Sequence, residues 1–163
     1  MKKYIIGSIF IFLALTWMAV IYYFSNQNAV SSTMVAKNVT RYTVKLFVPH
    51  YSELSIEEQR TIFWRFYYFI RKMAHFTEFA VLSFFLFICL NFLFKRDWIT
   101  HLVTFILIFL LASGDEIHQY FVEGRISTWK DVCIDVAGAF VMLGCIAIYR
   151  NIYKKNRIGK KND

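Results

Sequence analysis

Four long apolar runs dominate the chain, and the polar residues set into them recur at helical spacing. Residues 4–24 are apolar apart from Ser8 and Thr16. They follow Lys2 and Lys3 and end in Tyr22, Tyr23 and Phe24, rings suited to the boundary between headgroups and hydrocarbon. Further runs cover about residues 73–94, 98–121 and 129–149. Each is close to the roughly 20 residues that a helix needs to cross a bilayer core. The pattern predicts four transmembrane helices. The first run is expected to be a retained helix rather than a cleaved signal peptide, because its apolar core is long and no small-x-small site precedes Ser25.

Lys95-Arg96-Asp97 leaves almost no room between the second and third spans, so these two should form an antiparallel hairpin. The long segment before span two is not a plain linker. Ser55-Ile56-Glu57-Glu58 has the form of a capping box that opens a helix. Phe63, Trp64, Phe66, Tyr67, Tyr68 and Phe69 then give that helix an aromatic face for the membrane boundary, with room to run straight into span two. The fold class is therefore all-α: a polytopic membrane protein, a bundle of four transmembrane helices plus an interfacial helix before span two. No internal repeat or low-complexity stretch interrupts residues 1–163, which are expected to form a single membrane domain with a basic tail over 150–163.

Composition agrees. At 58% hydrophobic and 18% charged residues the chain is too apolar for a soluble domain of this size. The net charge of +8 does not point to nucleic acid, because ten of the nineteen Lys and Arg residues lie at the N-terminus, at Lys95-Arg96 and in the tail from Arg150. Short basic clusters bracketing apolar spans are topology signals. They place both termini in the cytoplasm of a multi-pass cell-membrane protein, although Lys37, Arg41, Lys45, Arg60 and Arg65 then stand outside, against the rule. Cys89, Cys133 and Cys145 sit in apolar runs without metal-ligand spacing and read as small buried side chains.

Ionisable groups inside apolar spans are costly and mark candidate function. Arg71, His75 and Glu78 follow i, i+4, i+7 spacing, Asp131, Asp135 and Gly138 do the same, and Asp115 shares a face with His118 and Gln119. Counted along each helix from its cytoplasmic charge, Glu78 stands about 26 Å from Lys95, Asp115 about 27 Å from Asp97 and Asp135 about 22 Å from Arg150. The three carboxylates are expected at one level in the outer leaflet, with His75, His118 and Asp131 a turn or so higher. Gly138 continues its stripe and lets a neighbouring helix approach closely.

Plain structural roles compete for several of these residues. Lys72 reads best as an interfacial anchor, Arg71 equally as anchor or site, and a Glu78–Arg71 ion pair would fix helix packing. His50 and His101 lack polar company. Asp131, Asp135 and Glu116 are harder to set aside, because neighbouring carboxylates repel unless a cation, a proton or a basic side chain compensates.

The stretches that carry the pattern are Ser25-x-Gln27 with Ser31-Ser32 after span one, and Arg71-Lys72-x-Ala74-His75-Phe76-x-Glu78-Phe79 entering span two. They continue with Asp115-Glu116-x-His118-Gln119-x-Phe121-Val122-x-Gly124-Arg125 leaving span three and Asp131-Val132-x-x-Asp135-x-x-Gly138 in span four. In combination they resemble the VanZ-like family of small bacterial membrane proteins, over most of the chain except about Lys37 to Arg60. The resemblance implies a cell-envelope role. The family's name-giving member is associated with teicoplanin resistance in Gram-positive bacteria, without the precursor replacement that underlies vancomycin resistance. It does not supply a reaction.

Three readings of the cluster stay open. As an enzyme on an anionic envelope lipid or lipid-linked precursor, Arg125 and Arg71, with Gln119, would hold the phosphate. Glu116 and His118 would be the acid/base pair, with Asp115, His75 and Glu78 in the same catalytic group, and Asp131 and Asp135 would hold a divalent cation. As a binding or transport-type protein, the same cluster would capture a lipid headgroup, or shield an envelope target from a lipoglycopeptide, without turnover. As a scaffold, it would organise partner proteins. The first two predict lowered susceptibility to lipoglycopeptides such as teicoplanin, and the partners expected are the bilayer and an anionic envelope lipid, with no nucleic acid.

Overall fold

A computed structural model describes residues 2–94, 96–125 and 127–162. Lys95, used above to set orientation and depth, lies outside the described residues, as do the side chains of Lys2, Lys3, Lys160 and Lys161. The described residues form five α-helices and no strand: α1 (Lys2–Ser25), α2 (Ala29–Phe47), α3 (Ile56–Asn91), α4 (Asp97–Tyr120) and α5 (Trp129–Asn162). Helices α1, α3, α4 and α5 are long and apolar enough to cross a membrane. Large apolar side chains such as Ile9, Phe12, Leu15, Ile106, Phe109 and Val141 are exposed on the bundle, as they must be where the solvent is hydrocarbon.

The capping box opens α3 as its sequence predicts. Ser55 Oγ accepts from the Glu58 N–H at 3.3 Å, and Glu58 Oε2 accepts from the Ser55 N–H at 3.0 Å. No glycine or proline follows before Asn91, so the interfacial helix and span two are one rod of 36 residues, about 54 Å long. That exceeds a hydrocarbon core of about 30 Å, and the Trp64–Tyr67–Tyr68 end stands beyond the span. The separate helix before span two is α2, in a segment to which the sequence reading gave no structure. Asn28 caps it by accepting from the Ser31 N–H at 3.0 Å, and Pro49, with His50 in the left-handed region at φ 56°, turns the chain towards α3. Helix α2 lies against α3 through Lys37 over the Trp64 ring and the Tyr67 hydroxyl donating to Thr33 Oγ1 at 3.4 Å.

Helices α3 and α5 run parallel, joined along one seam. Lys72 pairs with Asp131, His75 Nδ1 lies 3.5 Å from Asp135 Oδ1, and Arg150 Nη1 donates to Asn91 Oδ1 at 2.9 Å. The residues joined are 59 positions apart at Lys72–Asp131 and again at Asn91–Arg150, so register does not slip over about 28 Å of helix. Between these points Gly138 passes beneath α3 so closely that a Cβ would overlap the Phe76 carbonyl oxygen. Helix α1 leans on α3, with Trp17 Nε1 donating to the Glu78 carbonyl at 2.9 Å and Phe10 edge-on to Phe84. The core is Ile21, Phe79, Leu82, Ile108, Ala112 and Ala139. Buried Ser83 and Thr104 hydroxyls donate to carbonyls of their own helices, at 2.8 and 2.7 Å, which removes the cost of unpaired groups. At the end of the bundle that carries both termini, Asp97 in the first turn of α4 is held by Lys154 at 2.6 Å and Arg150 at 3.2 Å.

Gly138→Val is expected to cost about 1–3 kcal/mol by forcing the seam apart, read as a lower thermal midpoint in detergent. Gly144→Ala is the control, since a Cβ there meets nothing within 4 Å. It should leave the midpoint unchanged or slightly raised. Equal midpoints for Gly138→Val and wild type would remove the close approach from this account.

Candidate functional site

Away from the termini, the ends of α1 and α4 and the side of α3 enclose a cavity of about 290 Å³, with α2 across it. Arg71, Ala74, His75 and Glu78 come from α3, and Asp115 and Gln119 from α4. Arg125 comes from the turn after α4, while Val35, Ala36 and Val39 of α2 form an apolar wall. Six of the sequence-predicted residues thus meet in one space: Arg71, His75, Glu78, Asp115, Gln119 and Arg125. Of the three carboxylates counted to one level, Glu78 and Asp115 line this cavity and Asp135 does not.

Their bonding divides them into fixed and unfixed groups. Gln119 Nε2 donates to Asp115 Oδ2 at 2.7 Å, and Gln119 Oε1 accepts from Arg125 Nη1 at 3.3 Å. Arg125 also donates from Nη2 to the Phe24 carbonyl at 2.7 Å and from Nε to the Gln27 carbonyl at 3.0 Å. These lie at and just beyond the last turn of α1, where carbonyls lack helical partners. Burial and the nearby Arg71 charge hold the Arg125 guanidinium below its ordinary value against the opposing pull of Asp115, Glu116 and Glu78, yet it stays charged. Arg71 uses Nη1 on the Tyr67 hydroxyl at 3.3 Å, over the Tyr67 ring. The Arg71–Glu78 ion pair allowed by spacing does not form. Among the described residues Arg71, Arg125, Glu78 and Asp115 make no salt bridge at all, so one cavity holds two guanidinium groups and two carboxylates that do not pair with each other.

Four predicted residues lie outside this cavity. Glu116 is buried on another face of α4, where its carboxylate accepts from the Thr128 N–H and its carbonyl from the Ser127 hydroxyl at 3.0 Å. It ties the end of α4 to the start of α5. His118 stacks on Tyr22 with ring centroids 5.0 Å apart, beside a different cleft. Residues two apart on a helix point in nearly opposite directions, so Glu116 and His118 do not face a common space. Asp131 is paired with Lys72, which corrects the reading of Lys72 as an anchor: its Nζ is turned towards α5. Asp135 is fully buried behind His75. Lys72 thus meets the Asp131 charge, whereas the Asp135 oxygens and His75 Nδ1 are buried without a hydrogen bond among the described residues. No group of three or more His, Cys, Asp or Glu among the described residues is placed to hold a metal ion. His50 and His101 do have polar company, Glu53 at 3.0 Å and the Asp97 carbonyl at 2.8 Å.

Sequence reasoning left Ser25, Gln27 and Ser32 out of the site, yet all three line the cavity. Ser25 is buried and its hydroxyl has no partner among the described residues. The signal was present in Ser25-x-Gln27 and Ser31-Ser32, short polar stretches just past a membrane span.

A family model described as VanZ/LLP1 matches residues 10–150. The chain belongs to this family. The match takes in α2 to α4, most of α1 and the part of α5 that forms the seam with α3, and so every residue of the cavity. No curated protein and no solved structure matches the chain.

Proposed function

We propose that this VanZ-family membrane protein captures the anionic headgroup of an envelope lipid or lipid-linked precursor, and by occupying that lipid lowers susceptibility to lipoglycopeptides such as teicoplanin. The observation that carries the reading is the pair of guanidinium groups, Arg71 and Arg125, beside one small cavity without a carboxylate bonded to either. Two such charges in a confined site favour an anion between them, and guanidinium makes paired bonds to phosphate oxygens. Glu78, Asp115 and the Ser25 hydroxyl then suit the hydroxyl or amine groups that accompany phosphate in a headgroup. A cavity of about 290 Å³ suits a headgroup rather than a whole glycopeptide.

The face that carries both termini also carries Arg96, Arg150, Lys154, Lys155 and Arg157, which supports a cytoplasmic placement of the termini and an outer-leaflet placement of the cavity. In cells, a membrane-impermeant thiol reagent should label Glu123→Cys from outside and leave Lys155→Cys untouched. Labelling of Lys155→Cys alone would invert the orientation.

Arg71→Gln removes a charged fork without disturbing the clamp made by Arg125. A charge-assisted bond is worth about 1.5–3 kcal/mol, so headgroup binding should fall about ten- to a hundredfold. Lipoglycopeptide susceptibility should return to that of cells without the protein, at equal protein level in the membrane. Full protection by Arg71→Gln would sink the headgroup reading.

A second reading, turnover of the captured lipid, is favoured by one arrangement. His75 borders the cavity with the buried Asp135 carboxylate 3.5 Å from its Nδ1, a placement that can orient the ring of a general base. Lipid mass spectrometry of cells expressing wild type and His75→Gln separates the two. Capture alone gives the same lipid profile in both. A product that falls about 10²- to 10⁴-fold in the variant would move the assignment to an enzyme.

A further inference from the structure

The polar cavity does not end at Asp115. Beyond it, a second cavity of about 340 Å³ occupies the cleft between α1 and α4, and Ile21 and Asp115 belong to the walls of both. Below Asp115 the cleft is apolar: Met18 on one side, Leu110 and Leu111 on the other, and Phe79 and Leu82 of α3 as its floor. From His118 to Leu110 it follows α4 for about 12 Å, most of the depth of one leaflet in a core of about 30 Å.

Two features keep the cleft open. Helix α1 leans on α3 and meets α4 sparsely. Helix α4 lines the cleft with Gly114, where a Cβ would find nothing within 4 Å. Leu110 is 59% and Tyr22 57% exposed, so the opening faces sideways into the bilayer. At the outer end the Tyr22 and His118 rings stack, and His118 Nε2 is buried there without a partner among the described residues.

We propose that this cleft seats one hydrocarbon chain of the lipid whose headgroup occupies the polar cavity, so that the ligand arrives sideways from the leaflet between α1 and α4. The inference rests on the headgroup reading for what the ligand is, and adds the chain and its route. A membrane lipid presents a charged head and, directly beneath it, apolar length. The two cavities repeat that order and share a wall at Asp115, so head and tail can be held at once. A water-soluble anion would use the first cavity alone, and a lipid that merely surrounds the bundle would need no connection to Arg71.

The test uses the full chain in vesicles containing phosphatidylglycerol with a diazirine near the end of one acyl chain, and mass spectrometry of the peptides labelled on irradiation. In wild type the label should fall on Met18, Leu110 or Leu111. Gly114→Leu places a side chain in the open space and should reduce that label about tenfold, the effect of displacing roughly two methylenes of apolar contact. Leu110→Trp, at the exposed rim, should give a comparable loss and serves if Gly114→Leu proves unstable. Arg71→Gln should reduce the label as well, because head and tail are one ligand. Absence of label from the cleft in wild type overturns the inference. Label lost in Arg71→Gln but unchanged in both cleft variants overturns the cleft and leaves the headgroup reading standing. Label lost in the cleft variants but indifferent to Arg71→Gln marks surrounding lipid, and overturns the headgroup reading together with the joint ligand.

Discussion

The seam between α3 and α5 is the constraint on which the rest of the molecule depends. In a bilayer, helices gain nothing by hiding apolar surface from their neighbours' surroundings, so association must come from close packing and from polar groups that have nowhere else to go. This seam has both. Gly138 lets the backbones approach, and Lys72–Asp131, His75–Asp135 and Asn91–Arg150 are its polar contacts. Asp135, fully buried, would be very costly alone. His75 Nδ1 stands 3.5 Å from it, with the ring at the cavity wall. Helix α3 then offers its remaining faces to α1, α2 and α4, and the cavity forms where those three meet it.

Arg125 shows how a candidate binding residue is also part of the frame. Its guanidinium joins the turn after α4 to carbonyls 98 and 101 positions earlier, at Gln27 and Phe24. Those bonds draw the ends of α1 and α4 together above a cleft that stays open lower down. Asp115 and Gln119 continue the chain of bonds along the same wall. The wall is thus rigid on the α4 side, whereas Arg71 and Glu78 opposite are held less.

What was legible in the sequence was what is local. Apolar run length gave the four spans, the Ser55–Glu58 spacing gave the start of α3, and a fixed rise per residue put Glu78 and Asp115 at one level. Gly138 could be read as a close approach because it continues the Asp131–Asp135 stripe, whereas a Cβ at Gly144 in the same helix or at Gly114 in α4 would meet nothing within 4 Å. The direction in which each polar face turns was not legible, since it depends on which helices become neighbours. Nothing in the Asp131–Asp135 spacing says which helix will face it: Lys72 pairs with Asp131 and His75 stands 3.5 Å from Asp135, both from a helix some 60 residues away. Glu116 looked like an acid in a site, and the loop geometry that gives it the Thr128 N–H has no signature in the motif. Helix α2 was missed because its many Val, Thr and Ser residues have weak intrinsic helix preference, and its order comes from packing on α3.

The shared separation of 59 at the two ends of the seam, Lys72–Asp131 and Asn91–Arg150, bears on how the chain tolerates changes of length. A residue gained or lost in the turns at 92–96 or 121–128 alters that separation everywhere by the same amount, and every seam pair can still meet its partner. The same event inside α5 between Asp135 and Gly138 turns all that follows by about 100° and moves it by about 1.5 Å. Gly138 would then leave Phe76 and Arg150 would leave Asn91, while Lys72–Asp131 and His75–Asp135 stayed in place. Length variation should therefore be confined to the turns, and α3 and α5 should be free of insertions from Lys72 to Asn91 and from Asp131 to Arg150.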